Sequence, residues 1–111
     1  MTRLGKILAA LVLTVLTTFA FSSPAFAGDI AKGARVFKGN CQACHLGGKN
    51  TVNPKKTLKK EDLEKYGKFS EEAIYQQAMN GAGAMPSFRR LGEENLRNVA
   101  AYVYSQAENG W

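Results

Sequence analysis

The chain has 111 residues, a formal charge of +6, two cysteines and one histidine. That length accommodates one small domain and excludes a multidomain protein or a large enzyme. Of its 45% hydrophobic residues, 17 lie in residues 1–27, and only 14 Leu, Ile, Val and Phe remain among the last 84. So few large aliphatics do not build an ordinary core unaided, and domains this small lean on a disulfide, a metal or another staple.

The chain opens with Arg3 and Lys6, then an apolar run from Ile7 to Phe21 interrupted only by threonines. Ser22-Ser23-Pro24 breaks the run, and Ala25-Phe26-Ala27 places small residues at the −3 and −1 positions of a cleavage site. This pattern predicts a secretory signal peptide over 1–27, removed to leave a domain of residues 28–111. The run is short for a bilayer span, and no cysteine follows the cut to receive a lipid, so stable membrane insertion is not expected. The exported domain carries 13 Lys and Arg against 9 Asp and Glu. An excess of that size, outside the cell, calls for no nucleic-acid partner.

Along the domain the periodicity is helical throughout. Over 29–45, Ala34, Phe37, Cys41 and Cys44 fall on one stripe, and Gly33 lies one turn before Phe37, where a small residue lets another helix approach closely. Leu46-Gly47-Gly48 stops this helix. A loop follows over 46–56. A second helix is expected over 57–66, with Thr57 as cap, Leu58, Leu63 and Tyr66 apolar, and Glu61–Lys65 in favourable i,i+4 order. Ser70 caps a third helix, which pairs Ile74 with Ala78 and Tyr75 with Met79 and ends at Asn80-Gly81. Pro86 holds 82–90 irregular. The last helix, from about Glu93 to Glu108, buries Leu96, Val99, Ala100 and Val103, with Tyr102 beside them. No segment alternates with period two, so the fold class is all-α, about four helices. The lysines at 55, 56, 59, 60, 65 and 68 alternate with Glu61, Asp62 and Glu64 and read as a solvated face.

Cys41-Gln42-Ala43-Cys44-His45 is the C-x-x-C-H spacing of c-type haem attachment. Residues three apart on a helical turn lie on one side, so both thiols can add to the two vinyl groups of one haem, and the next residue brings an imidazole beneath the iron. Three other readings compete. A thioredoxin-type pair wants a βαβ context, a structural zinc site wants four ligands, and a plain disulfide across four residues constrains little. For the sixth coordination position, the domain holds two methionines and no second histidine. Met79 sits within a helix and reads as packing. Met85, in Ala84-Met85-Pro86, is freed from helix geometry by the proline and is assigned as distal ligand. His/Met ligation raises the reduction potential. With both axial positions filled by protein, electron transfer is favoured over catalysis. Val52, Met85 and Pro86 belong to the two loops that would flank such a haem and are expected to border its exposed edge.

The domain resembles the class I cytochromes c, and most closely the cytochrome c6 family of oxygenic photosynthesis. The resemblance rests on Cys-His-Leu-Gly-Gly-Lys-Asn from Cys44 and on Lys56-Thr-Leu-Lys-Lys-Glu-Asp-Leu-Glu-Lys-Tyr-Gly67. It rests also on Asn80-Gly, on Ala84-Met-Pro-Ser-Phe88, and on Val99-Ala-Ala-Tyr-Val103 with Trp111. It implies a small helical cytochrome whose first and last helices cross near Gly33, Phe37 and Tyr102. It also implies one covalent haem c on Cys41 and Cys44, with His45 and Met85 as axial ligands. Gln77 matches a glutamine near the haem that tunes its potential. Arg90 matches an arginine used in delivery to photosystem I, and Arg89 is the alternative, because Phe88-Arg89-Arg90-Leu91 is one residue shorter than in many relatives. The implied activity is a soluble electron carrier in the thylakoid lumen, or the periplasm, between cytochrome f of the b6f complex and photosystem I. The other reading is a respiratory carrier feeding a terminal oxidase.

Overall fold

The computed structural model describes residues 28–111; the expected signal peptide lies outside them. Among the described residues five α-helices occur in this order: α1 (Ile30–Asn40), α2 (Gln42–His45), α3 (Lys60–Lys65), α4 (Glu71–Asn80) and α5 (Glu93–Asn109). Short 3-10 turns occupy Leu46–Gly48 and Arg89–Leu91. No strand forms among the described residues, where the β pairing is a single bridge between Ala82 and Met85.

The first helix is capped by Asp29, whose carboxylate accepts from the Lys32 N–H at 3.0 Å. The expected single helix over 29–45 divides at Cys41, which adds the four-residue helix Gln42–His45 to the four longer ones among the described residues. Two hydrogen bonds mark the residues around the break, one of them from Asn40. Its side-chain amide donates to the Val36 carbonyl at 3.0 Å, and the Cys44 N–H turns to Cys41 O, three residues back, at 3.2 Å. α2 ends where expected, with Gly47 and Gly48 at φ 63° and 77°.

α3 is shorter than expected and begins at Lys60 rather than Thr57. Thr57 does not cap it. Its hydroxyl donates to the Asp62 carboxylate and accepts from the Lys59 N–H, so the threonine closes a turn ahead of the helix. The Asp62 carboxyl is held below its ordinary value, first by the Thr57 hydroxyl and then by the Thr57 N–H. The ion pair on this helix is Lys60–Glu64 at 3.9 Å, an i,i+4 pair, in place of Glu61–Lys65. Tyr66 is exposed rather than packed, and the ammonium groups of Lys56 and Lys65 lie over its ring. Exposed pairs of this kind contribute little to stability.

Ser70 caps α4 as expected, accepting from the Ala73 N–H at 3.0 Å. α1 and α4 both pack on α5. The crossing of α1 over α5 is decided at Gly33, where an added Cβ would lie 2.0 Å from the Asn98 carbonyl oxygen and 2.9 Å from the Tyr102 Cβ. Only a hydrogen fits there. Asn98 is 3% exposed, and its side-chain oxygen accepts the Asp29 N–H at 2.8 Å, so the buried amide ties the start of α1 to α5. The core joins Phe37 and Leu63 to Ile74, Tyr75 and Ala78 of α4 and to Leu96, Val99, Ala100 and Val103 of α5. The stripe expected on the last helix is therefore the observed one. Met79 packs against this core while only partly buried. On the other side of α5, Arg97 pairs with Glu72 of α4 and lies over the Tyr75 ring at 3.5 Å.

Candidate haem site

The C-x-x-C-H residues sit at the α1–α2 junction. Cys41 packs against the core, and burial pushes its thiol up to about 11. Cys44, three residues on, is exposed. Both are free thiols. His45 closes the same turn, its N–H donating to the Cys41 carbonyl at 2.9 Å. Its ring Nδ1 lies 2.9 Å from the Lys49 carbonyl oxygen. A carbonyl only accepts, so Nδ1 carries the proton and Nε2 is left with its lone pair.

The loop that provides this carbonyl is laced to itself. Asn50 accepts from the Val52 and Asn53 N–H groups at 3.1 and 2.9 Å and donates to the Lys56 carbonyl at 2.8 Å. The Thr51 N–H returns to the Cys44 carbonyl at 3.0 Å. Val52 stands 63% exposed and Leu46 60%, apolar side chains that the loop leaves on the surface.

Met85 comes from the opposite side of the sequence, on a tight turn in which Ala82 and Met85 exchange backbone hydrogen bonds of 3.0 and 2.9 Å. Ser87 secures the turn: its hydroxyl donates to the Met79 carbonyl at 2.6 Å and accepts from the Arg89 N–H. The Met85 sulfur accepts from the Gln77 side-chain amide at 3.7 Å. The structure thus joins two residues that the sequence singled out separately. Arg89 and Arg90 part company. Arg89 donates to the Asn80 side chain at 3.2 Å, while the Arg90 guanidinium lies 5.4 Å over the Phe88 ring.

Sequence reasoning missed three contributors. The Lys49 carbonyl leaves no signature, because every residue has one. Asn50 was findable, since Asn ahead of Asn-Pro is a turn signal. Ser87 follows Pro86 and could be suspected of a loop-locking bond, though not of its partner. Among the described residues no three His, Cys, Asp or Glu side chains gather as a metal-ion site. The donor set instead fits haem c: two thiols on one turn, an imidazole with Nδ1 committed and Nε2 free, and a soft thioether oriented by an amide.

A family model described as cytochrome c oxidase, cbb3-type, subunit III matches residues 28–103. The chain is 54% identical to cytochrome c6 of Gloeothece citriformis, over 96% of this chain and 99% of that one. It is likewise 54% identical to cytochrome c6 of a Nostoc species, over 96% and 97%. The crystal structure of cytochrome c6 from the diatom Phaeodactylum tricornutum superposes with a TM-score of 0.74 at 48% identity, covering 76% of this chain and all of that one.

Proposed function

Because the chain belongs to the cytochrome c6 family, haem-bearing electron carriers rather than enzymes, we propose that it carries single electrons from cytochrome f of the b6f complex to photosystem I. The compartment is the thylakoid lumen, reached after cleavage behind Ala27. Its cofactor is one covalently attached haem c, which when bound supplies a one-electron ferric/ferrous couple. The rest is the work of this chain's residues. Cys41 and Cys44 would hold the group through two thioether bonds, and the His45 Nε2 and the Met85 sulfur would bind its iron.

The observation that carries this reading is the commitment of both axial candidates by neighbours. Lys49 holds Nδ1 of His45, and Gln77 holds the Met85 sulfur. A ligand pair fixed on both sides suits a carrier, because little rearrangement then accompanies gain or loss of an electron. The hydrogen bond that Nδ1–H donates to Lys49 O makes the imidazole a stronger donor, whereas donation from Gln77 draws density from the thioether. Val52 and Pro86, both exposed, provide apolar surface for a close and brief encounter. Arg89 and Arg90 provide charge for steering. Redox encounters of this kind use small interfaces.

Flash excitation of photosystem I particles mixed with the reduced holoprotein tests the reading. Photo-oxidised photosystem I should be re-reduced at a rate that rises with holoprotein concentration. A rate no different from that without the protein rules out this partner. Replacing Arg89 and Arg90 together by Gln should slow the reaction at low salt and matter less at high salt, where screening removes the steering. Unchanged kinetics would remove both arginines from docking.

A further inference from the structure

Trp111 has no part in the site described above, yet it is built into the frame of the loop that orients His45. Its indole N–H donates to the Leu58 carbonyl at 2.9 Å. Leu58 in turn donates its own N–H to the Gly48 carbonyl at 2.7 Å, and Gly48 immediately precedes Lys49, whose carbonyl holds Nδ1 of His45. The ring also lies directly on Gly48, where an added Cβ would stand 2.4 Å from the indole Cγ. Gly48 is buried and at φ 77°, so no other residue fits under the ring without strain. The indole is itself wedged between helices. Its ring centroid is 5.3 Å from Phe37 of α1 and 6.0 Å from Tyr102 of α5.

We propose that Trp111 is a positioning residue for the proximal imidazole: through Leu58 and Gly48 it fixes the Lys49 carbonyl that holds the His45 Nδ1 proton. One edge of the ring is hydrogen-bonded to the loop, and its faces are seated on the crossing of α1 and α5. The rigidity of the helix pair is thereby passed to a loop with few apolar contacts of its own. Fifty-three residues separate Trp111 from Leu58, so this brace exists only in the folded chain. The inference rests on His45 as an axial ligand.

The test uses the holoprotein with Trp111→Phe, which keeps an aromatic ring and removes the N–H. A second variant carries the isosteric benzothienylalanine at 111 and guards against loss of packing in the first. Arg97→Gln, which breaks the Glu72 pair away from the loop, controls for general destabilisation. Two quantities are read: solvent exchange of the His45 Nδ1 proton by NMR, and the reduction potential. Both position-111 variants should speed the exchange about fivefold, as expected from weakening one hydrogen bond. They should also shift the potential upward, because a looser Nδ1–H bond makes the imidazole a poorer donor to ferric iron. Arg97→Gln should leave both readings at the wild-type values. Wild-type exchange and potential in the position-111 variants, or equal shifts in Arg97→Gln, overturn the brace alone. A wild-type NMR spectrum without a coordinated imidazole overturns His45 as ligand, and the inference with it.

Discussion

The crossing of α1 over α5 and the two loops that carry the proposed haem-binding residues are held by different forces. At the crossing, contact is direct. Gly33 lies against the Asn98 carbonyl, Phe37 is buried, and the flanking positions of α5 are Leu, Val and Ala. Burial of apolar surface dominates there. In the loops, side-chain hydrogen bonds do most of the shaping. Asn50 and Ser87 lock their own segments, while Leu46 and Val52 stand in solvent. The contrast teaches that this small domain is held by apolar packing where its helices meet and by hydrogen bonds in the loops of the candidate haem site. Of the six buried Leu, Ile, Val and Phe side chains, four belong to the first region: Phe37, Leu96, Val99 and Val103. The second region depends on a bound group to complete its apolar contacts.

Gly33→Leu breaks the comparison most severely. A side chain has no space 2.0 Å from a backbone oxygen, so the helices must separate. The variant should yield no folded holoprotein, judged by far-UV circular dichroism and haem content. Leu96→Ala is next. Leu96 is 1% exposed, and its truncation should cost about 3 kcal/mol in denaturant unfolding, with the visible spectrum unchanged. If the spectrum changes as much as the stability, the two regions are not separable.

Met85→Ala acts on the other side of the contrast. Haem should stay attached through the cysteines, while the far-red absorption of ferric iron bound to thioether disappears. Carbon monoxide should then bind the reduced protein. The potential should fall, and the melting temperature should drop less than in Leu96→Ala. Persistence of the thioether absorption would transfer the role to Met79.

Arg97→Gln gives the smallest effect and sharpens the picture through pH. The Glu72 carboxyl lies below its ordinary value of 4.5, chiefly through the hydrogen bond from Arg97 and next through that from Gln76. A carboxyl with a depressed folded-state value stabilises the fold above 4.5 and loses that contribution as pH falls through the lower folded-state value. The stability difference between parent and Arg97→Gln should therefore be present at neutral pH and shrink in acid below 4.5. It should also shrink with added salt, because Glu72 is exposed. A difference independent of pH would assign the effect to stacking on Tyr75 instead.

Much of the helical region was legible in the sequence because helix periodicity and capping are local. The stripe of Leu96, Val99, Ala100 and Val103 and the Ser70 cap depend on residues a few positions apart. The reading erred where a side chain had a choice of partners. Thr57 could have capped a helix but bonds Asp62 instead, and the Cys44 N–H turns to the Cys41 carbonyl where a continuous helix was expected.

The sequence by itself determined the helices and the C-x-x-C-H turn, because a turn of helix places Cys41, Cys44 and His45 through backbone geometry alone. It also singled out Met85 over Met79 as the candidate distal ligand. Only the tertiary structure brought Gln77 to the Met85 sulfur, assigned Arg89 to Asn80 and Arg90 to Phe88, and joined Trp111 to Leu58. It likewise tied Asp29 to Asn98, 69 residues away. Those partners meet because the helices must bury a scarce set of aliphatics together. That packing is a property of the whole chain, and no short window of sequence contains it.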